Sequence, residues 1–392
     1  MRIAIITSGI LPVPAVQGGA IENLIDYALE YNDYNHLHDI TVYSVKNEKT
    51  SFHQALLSVV NHYVYIDTKS LSFRIGAKLY SYFGCHHYYH YQLDFFFERV
   101  WTKMKKLNYD LIIIENRPGY ILQLSKRTST PIILHIHTNI LFEPSIQNKE
   151  IVSSAKGILA VSNYIKKEIQ KVGIKKDIHI VYNGLDPRLF NKSNILPINR
   201  RELGFKESDF IVVFWGRLVA EKGIKELLQA FQLLKDHQDI KLLIIGSINY
   251  EDTENQSSPF VEEIKKIALD LRDHAKFTGF IPYRRIANYL LSSNVAVVPS
   301  RINEALGMTC IEACALGLPV IATNDGGIPE TLVDQKHILI DKNSNMPQLI
   351  AKAIIEIKNN YSFYQGNSLK SIFSKDNYAR TFYQSLYDII NQ

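Results

Sequence analysis

Short β-branched runs alternate along this chain with longer helix-like segments, and they do so in two separate series. The first series is Arg2 to Thr7, Asp39 to Val45, Asp110 to Glu115, Pro131 to His137, Gly157 to Ser162 and His179 to Asn183. The second is Phe210 to Gly216, Lys241 to Gly246, Asn294 to Ser300, Leu318 to Thr323 and His337 to Asp341, with amphipathic stretches such as Gly223 to Leu234 between the runs. Parallel strands need a crossover of a dozen residues or more, so this rhythm predicts helix-covered parallel sheets of the α/β class. Two Rossmann-like halves are expected, and 392 residues is the length two such domains require. The expected bounds are 1–190 for the first half, 191–204 for a polar, Pro-containing linker, and 205–367 for the second half. A closing amphipathic helix carries Tyr378, Phe382, Tyr383 and Tyr387 within 368–392.

Composition narrows the class further. Hydrophobic residues make up 46% and charged residues 21%, which excludes disorder and fibrous repeats. The three cysteines, Cys85, Cys310 and Cys314, form no CxxC pair and no spaced Cys/His set, so a reducing, cytoplasmic setting is expected. The apolar start Met1 to Ile6 ends at Thr7-Ser8-Gly9, too soon for a secretory core, and no apolar run approaches the ~20 residues of a membrane span. A net charge of +5 is too mild to imply nucleic-acid binding.

In open α/β sheets, ligands meet the loops that leave the carboxyl ends of strands. Four such loops carry candidate chemistry. After the first run, Gly18-Gly19 opens a helix and Glu22 follows, an arrangement that brings backbone amides to an anion or sugar hydroxyl. After Trp215 comes Gly216-Arg217 and then Lys222-Gly223, two cations suited to a diphosphate or, alternatively, to pairing with Glu221. After Val295 to Pro299, Glu304 lies in a loop, while Gly307-Met308-Thr309 starts a helix that carries Glu312. One elongated ligand is able to meet both carboxylates. The fourth loop, Asp325-Gly326-Gly327-Ile328-Pro329-Glu330, places proline in the first turn of the next helix.

Taken together and in this order, these motifs resemble glycosyltransferase family 4, whose members are retaining, nucleotide-sugar-dependent enzymes of the two-domain GT-B fold. The resemblance spans nearly the whole chain and includes Val161-Ser162 and Asn183-Gly184-Leu185-Asp186. It implies two Rossmann-like domains facing a central cleft, with the C-terminal helix crossing back to the first. It implies that Arg217 and Lys222 neutralise the donor diphosphate, that Glu304 orients the donor sugar, and that Glu312 binds ribose. Gly216 and amides near Gly307, Met308 and Thr309 would support the donor, with Gly18 and Gly19 near the distal phosphate and the acceptor. His135 and His137 both fit the family's strand-end histidine, and His137, nearer the loop, fits better. Glu22, Glu115, Asn116 and Arg117 are weaker candidates for acceptor contact. No cofactor is expected, and no metal either, because Asp-x-Asp occurs nowhere in the chain. The chain departs from the family pattern at Asn303 and at Asp334-Gln335-Lys336-His337, which lacks the usual glycine.

The stretch from Lys69 to Lys106 holds seven basic residues against Asp94 and Glu98. It also holds Phe73, Tyr80, Tyr82, Phe83, Tyr88, Tyr89, Tyr91, Phe95, Phe96, Phe97 and Trp101. Basic residues among aromatics suit an anionic membrane or a lipid-linked acceptor, and equally suit a core helix pair with a solvated positive face. His86, His87 and His90 read as a polar surface cluster, and 249–258 reads as a solvated loop. The expected activity is transfer of a hexose from a UDP-sugar to a lipid-linked glycan in surface polysaccharide assembly, at the inner face of the plasma membrane. Its rivals are a nucleotide-sugar epimerase and a non-catalytic sugar-nucleotide binder; a dehydrogenase is disfavoured because no GxGxxG follows the first strand.

Overall fold

The computed structural model describes residues 1–50, 60–82, 88–141, 145–246, 259–271 and 274–392. The loop expected at 249–258, and Phe83, Cys85, His86 and His87, lie outside the described residues. The chain divides into two compact units, Met1–Gly184 with Lys375–Gln392, and Leu185–Ser374.

The first unit is built on seven parallel strands: β1 (Arg2–Ile6), β2 (Asp39–Val45), β3 (Asn61–Ile66), β4 (Leu111–Glu115), β5 (Ile132–Ile136), β6 (Gly157–Ala160) and β7 (Ile178–Ile180). Their order is β3-β2-β1-β4-β5-β6-β7. Strands such as β4 and β5 are buried along their whole length, which is why they read as unbroken Ile/Leu runs. β3 is absent from the predicted series. It is an edge strand whose sequence, NHYVYI, is fully buried only at Asn61 and Ile66, so it gives neither a continuous apolar run nor a clean alternation.

The closing helix, Lys375–Ile390, belongs to this unit, as expected. Tyr378, Phe382, Tyr383, Leu386 and Ile389 enter one core with Ile3, Leu24, Leu29 and Leu159. The Tyr383 hydroxyl donates to the Ala28 carbonyl of helix Ala20–Asn35 at 2.7 Å.

The second unit holds six parallel strands: β8 (Phe210–Trp215), β9 (Ile240–Ile245), β10 (Ala275–Phe277), β11 (Val295–Val298), β12 (Val320–Thr323) and β13 (His337–Ile340). Their order is β10-β9-β8-β11-β12-β13. β10 is a second edge strand missing from the sequence reading, only three residues long with Lys276 and Phe277 exposed. The segment 191–204, expected as a linker, packs into this unit. Ile198 N–H donates to Asn288 O at 3.1 Å, and the Arg200 guanidinium donates to Ser292 O and Asn294 Oδ1, each at 3.0 Å. The return to the first unit falls at 374/375 rather than 368, because Leu185 N–H donates to Phe373 O at 2.7 Å within the second unit. Asp334 takes the left-handed backbone, φ 54°, that a glycine at this turn would adopt without strain.

The closing helix supplies large side chains to the first core, so Phe382→Ala should cost about 3–5 kcal/mol in a denaturant titration of the full chain. A loss under about 1 kcal/mol would mean that the helix only rests on the surface.

Candidate active site

Three loops of the second unit meet where β8, β11 and β12 end. After β8, a short turn Ala220–Lys222 closes on Gly223, whose φ is 70°. A Cβ there would lie 1.8 Å from the Pro299 carbonyl oxygen, so only glycine allows this turn to touch the end of β11. The contact brings Lys222 to Glu304: Nζ to Oε1 is 2.5 Å, and Ser300 Oγ donates to the same oxygen at 2.7 Å. Lys222 therefore pairs with Glu304, not with Glu221, whose carbonyl accepts from Arg301 N–H at 2.8 Å. The turn after β12 closes the third side. Gly327 N–H donates to Glu304 O at 2.8 Å, and a Cβ on Gly326 would lie 2.3 Å from that carbonyl oxygen. Lys342 bridges Asp325 to Asn303 Oδ1, so the departure at Asn303 is tied into the same loop cluster.

Gly307, at φ 99°, opens helix Met308–Ala315. The first amides of a helix have no intrahelical acceptor, so those of Met308 and Thr309 are available to an anion. One turn on, Glu312 is buried at 5% exposure, with Trp215 Nε1 donating to Oε2 at 2.7 Å and the Tyr283 hydroxyl to Oε1 at 2.9 Å. Burial raises its carboxyl to about 7 against the pull of those two donors. Trp215 and Tyr283 are not among the site residues that the sequence singles out. Trp215 immediately precedes Gly216 and has a positional signal, whereas nothing in the spacing links Tyr283, on helix Tyr283–Leu290, to Glu312.

In the first unit, the loop after β4 meets the end of β5. Glu115 is 1% exposed and accepts from both histidines, His137 Nε2 at 3.0 Å and His135 Nδ1 at 3.1 Å. Burial raises a carboxyl, but the charge and hydrogen bonds of the two rings outweigh it and hold Glu115 down at about 2. Burial, reinforced by His135, lowers His137 to about 4, so at neutral pH it is a neutral ring donating through Nε2 to a carboxylate. These three donor sets lie within 4.8 Å of one another, near enough to share a cation. His135 is covered by the Phe382 ring at 5.7 Å, which leaves His137 as the histidine nearer the loop.

Glu22, Glu115, Asn116 and Arg117, the weaker candidates for acceptor contact, each have partners within the first unit. Asn116 Oδ1 accepts from His137 N–H and Thr138 Oγ1, and Arg117 Nε donates to Ser8 O while its guanidinium lies over the Tyr89 ring. Glu22 is 4% exposed and folds back over the start of its own helix, accepting from Ser8 Oγ at 3.3 Å, with its carboxyl raised by burial. All four side chains brace the loops. Gly18 and Gly19 keep left-handed backbones, φ 80° and 104°, ahead of that helix.

Residues 35–189 match the description Glycosyltransferase Family 4, and residues 197–371 match Glycosyl transferases group 1. YtcC of Bacillus subtilis strain 168, a protein assigned to the glycosyltransferases, is 30% identical over 369 residues, covering 90% of this chain and 82% of its own. The chain belongs to glycosyltransferase family 4. Spore coat protein SA of the same bacterium is a second relative, 29% identical over 91% of this chain and 90% of that one. The crystal structure of Anabaena HepE in complex with UDP-glucose superimposes with a TM-score of 0.71 at 20% identity, covering 99% of this chain and 100% of that one. This likeness is one of fold, and with the two parallel sheets it places the family 4 chain in the GT-B class.

The raised carboxyl of Glu312 has a sign that can be tested. Its neutral form is favoured in the folded chain, so its contribution is complete below about pH 4.5 and is lost as pH rises through about 7. At 1.36 kcal/mol per unit, the stability of Glu312→Gln relative to wild type should grow by about 3 kcal/mol between pH 4.5 and pH 8 in denaturant titrations. A pH-independent difference would show that Glu312 is not desolvated.

Proposed function

We propose that this family 4 enzyme is a retaining, metal-independent hexosyltransferase that draws on a nucleoside diphosphate sugar, UDP-hexose, and delivers the sugar to a lipid-linked glycan in surface polysaccharide assembly. The observation that carries the donor assignment is the clustering of Lys222, Glu304, Glu312 and the Met308–Ala315 helix start on adjoining loops of one sheet. A nucleotide sugar has the matching sequence of groups: ribose hydroxyls for Glu312, phosphates for the Met308 and Thr309 amides and for Arg217 and Lys222, and sugar hydroxyls for Glu304. Gly216 gives the chain room beside the phosphates. The UDP-glucose bound by HepE supports UDP as the nucleotide.

Transfer breaks the bond from the sugar's C1 to the diphosphate oxygen and forms one from C1 to the acceptor oxygen, with the same configuration, the acceptor's proton passing to the departing diphosphate. Negative charge builds on the leaving diphosphate, and cations fixed in advance stabilise it without reorganising. Lys222 keeps its pairing with Glu304 Oε1 and offers its remaining N–H groups to the phosphates, while Glu304 Oε2 is left for a sugar hydroxyl. His137, held through Nε2 by Glu115, is assigned by resemblance to the donor sugar, and Gly18 and Gly19 to the distal phosphate and acceptor. Metal independence is supported by the absence of Asp-x-Asp and by the two cations that serve the diphosphate. No described helix is long and apolar enough to cross a membrane, so action at its cytoplasmic face is proposed as peripheral.

Transfer from UDP-hexose to a lipid-linked glycan is the test. Lys222→Ala and Glu304→Ala should each lower kcat/KM at least about 100-fold with unchanged circular dichroism, EDTA should leave the rate unchanged, and the product should keep the donor's anomeric configuration. Full activity in both variants, a rate abolished by EDTA and restored by a divalent ion, or an inverted product would each overturn the part it addresses.

A further inference from the structure

The basic, aromatic stretch of the first unit resolves into two different surfaces. Most of its aromatic side chains are structural. Phe96 and Phe97 are buried, Phe95 packs on Phe73 and Tyr80 with centroids 5.0 and 5.7 Å away, Tyr89 packs edge-on to Tyr120, and Arg127 lies over Phe97 and Trp101. Of the aromatics described there, Tyr82 is exposed. The face expected to meet lipid through aromatics is thus mainly the seam between helix Leu71–Tyr82 and helix Tyr91–Met104.

Helix Leu71–Tyr82 has a second apolar face. Phe73, Gly76, Ala77 and Tyr80 form its packed side, where the missing side chain of Gly76 lets the Phe95 ring lie on the helix: a Cβ there would be 2.7 Å from that ring. Leu71, Ile75, Leu79 and Tyr82 are 71%, 52%, 53% and 76% exposed. At about 100° per residue these four fall within about 80° of arc, on the side opposite the packed face. A helix with polar outward residues would fold as well; this one carries large apolar side chains to solvent at three- and four-residue spacing. Singly exposed apolar residues need no explanation, whereas a continuous stripe on one helix does.

Its charge says what covers it. Arg74 and Lys78 are exposed and flank the stripe on one side, Lys69 precedes the helix, and no acidic residue occurs from Lys69 to Tyr82. The nearby Asp67 is paired with Lys46 and accepts from Lys69 N–H and Ser70 N–H. An apolar stripe with a cationic edge complements an interface that is apolar beneath and anionic above. We infer that helix Leu71–Tyr82 docks on an anionic lipid bilayer, with Leu71, Ile75, Leu79 and Tyr82 entering the headgroup boundary and Arg74 and Lys78 meeting phosphate. Such docking would hold the enzyme where a lipid-linked acceptor lies; that consequence rests on the proposed function, but the docking itself does not.

Co-sedimentation of the full chain with vesicles tests the inference. Binding should be at least about tenfold stronger to phosphatidylglycerol vesicles than to phosphatidylcholine vesicles and should weaken with salt. Ile75→Glu with Leu79→Glu should abolish it at unchanged melting temperature, and Arg74→Glu with Lys78→Glu should remove the preference for the anionic lipid. In case the first pair disturbs folding, Leu79→Trp gives an independent reading, a blue-shifted emission on adding phosphatidylglycerol vesicles. Wild-type binding in the Ile75/Leu79 variant, no emission shift, or a dimer that this variant dissociates would overturn the inference, the last by making a second copy the occupant. UDP binding by the same variants, measured separately, distinguishes failure here from failure of the donor assignment.

Discussion

The approach of backbone to backbone at the ends of β8, β11 and β12 is the constraint on which the candidate site depends. Lys222 reaches Glu304 because Gly223 lets one turn touch the Pro299 carbonyl, and the Glu304 backbone is fixed because Gly326 and Gly327 lie directly on it. A side chain at Gly223 or Gly326 would push these loops apart by more than a hydrogen bond tolerates. Lysine and glutamate held this way keep their positions before any ligand arrives. That preorganisation is what a site for a departing diphosphate needs, since charge stabilisation is strongest when nothing has to move.

Burial sets the second layer of the chemistry: it raises both buried carboxyls, and their neighbours decide opposite outcomes in the two units. Glu312 has two neutral donors, Trp215 and Tyr283, and desolvation prevails, so its carboxyl titrates near neutrality until better donors reach it. Glu115 has two imidazoles, which outweigh desolvation and keep it ionised. The ionised Glu115 fixes which nitrogen of His137 carries the proton, and Asn116 holds the His137 backbone. Glu115 and Asn116, two of the candidates for acceptor contact, thus support a histidine.

Much of this was legible in the sequence because the informative elements are buried and local. Central strands read as apolar runs, and glycines mark the turns where loops touch. The edge strands β3 and β10 escaped because one is patterned by only partial burial and the other is three residues long. Partners distant in sequence escaped for a different reason: Tyr283 meets Glu312 across 29 positions, and no periodicity encodes that meeting. Most of the described aromatics of this stretch, which suited a membrane face and a core helix pair equally, pack in the helix pair. The plainer residues Leu71, Ile75 and Leu79 form the exposed stripe, and exposure is a property that composition does not carry.

The central claim is that the second unit grips a nucleotide sugar at both ends, with Glu312 on the ribose. Calorimetric titration of the full chain with UDP-, GDP-, ADP- and dTDP-sugars, alongside Glu312→Ala and with NAD as control, tests it most directly. UDP-hexose should bind, and the substitution should weaken it at least about tenfold through the loss of charge-assisted hydrogen bonds to two hydroxyls. Equal affinity of wild type and variant, or binding of NAD in place of any nucleotide sugar, would contradict it.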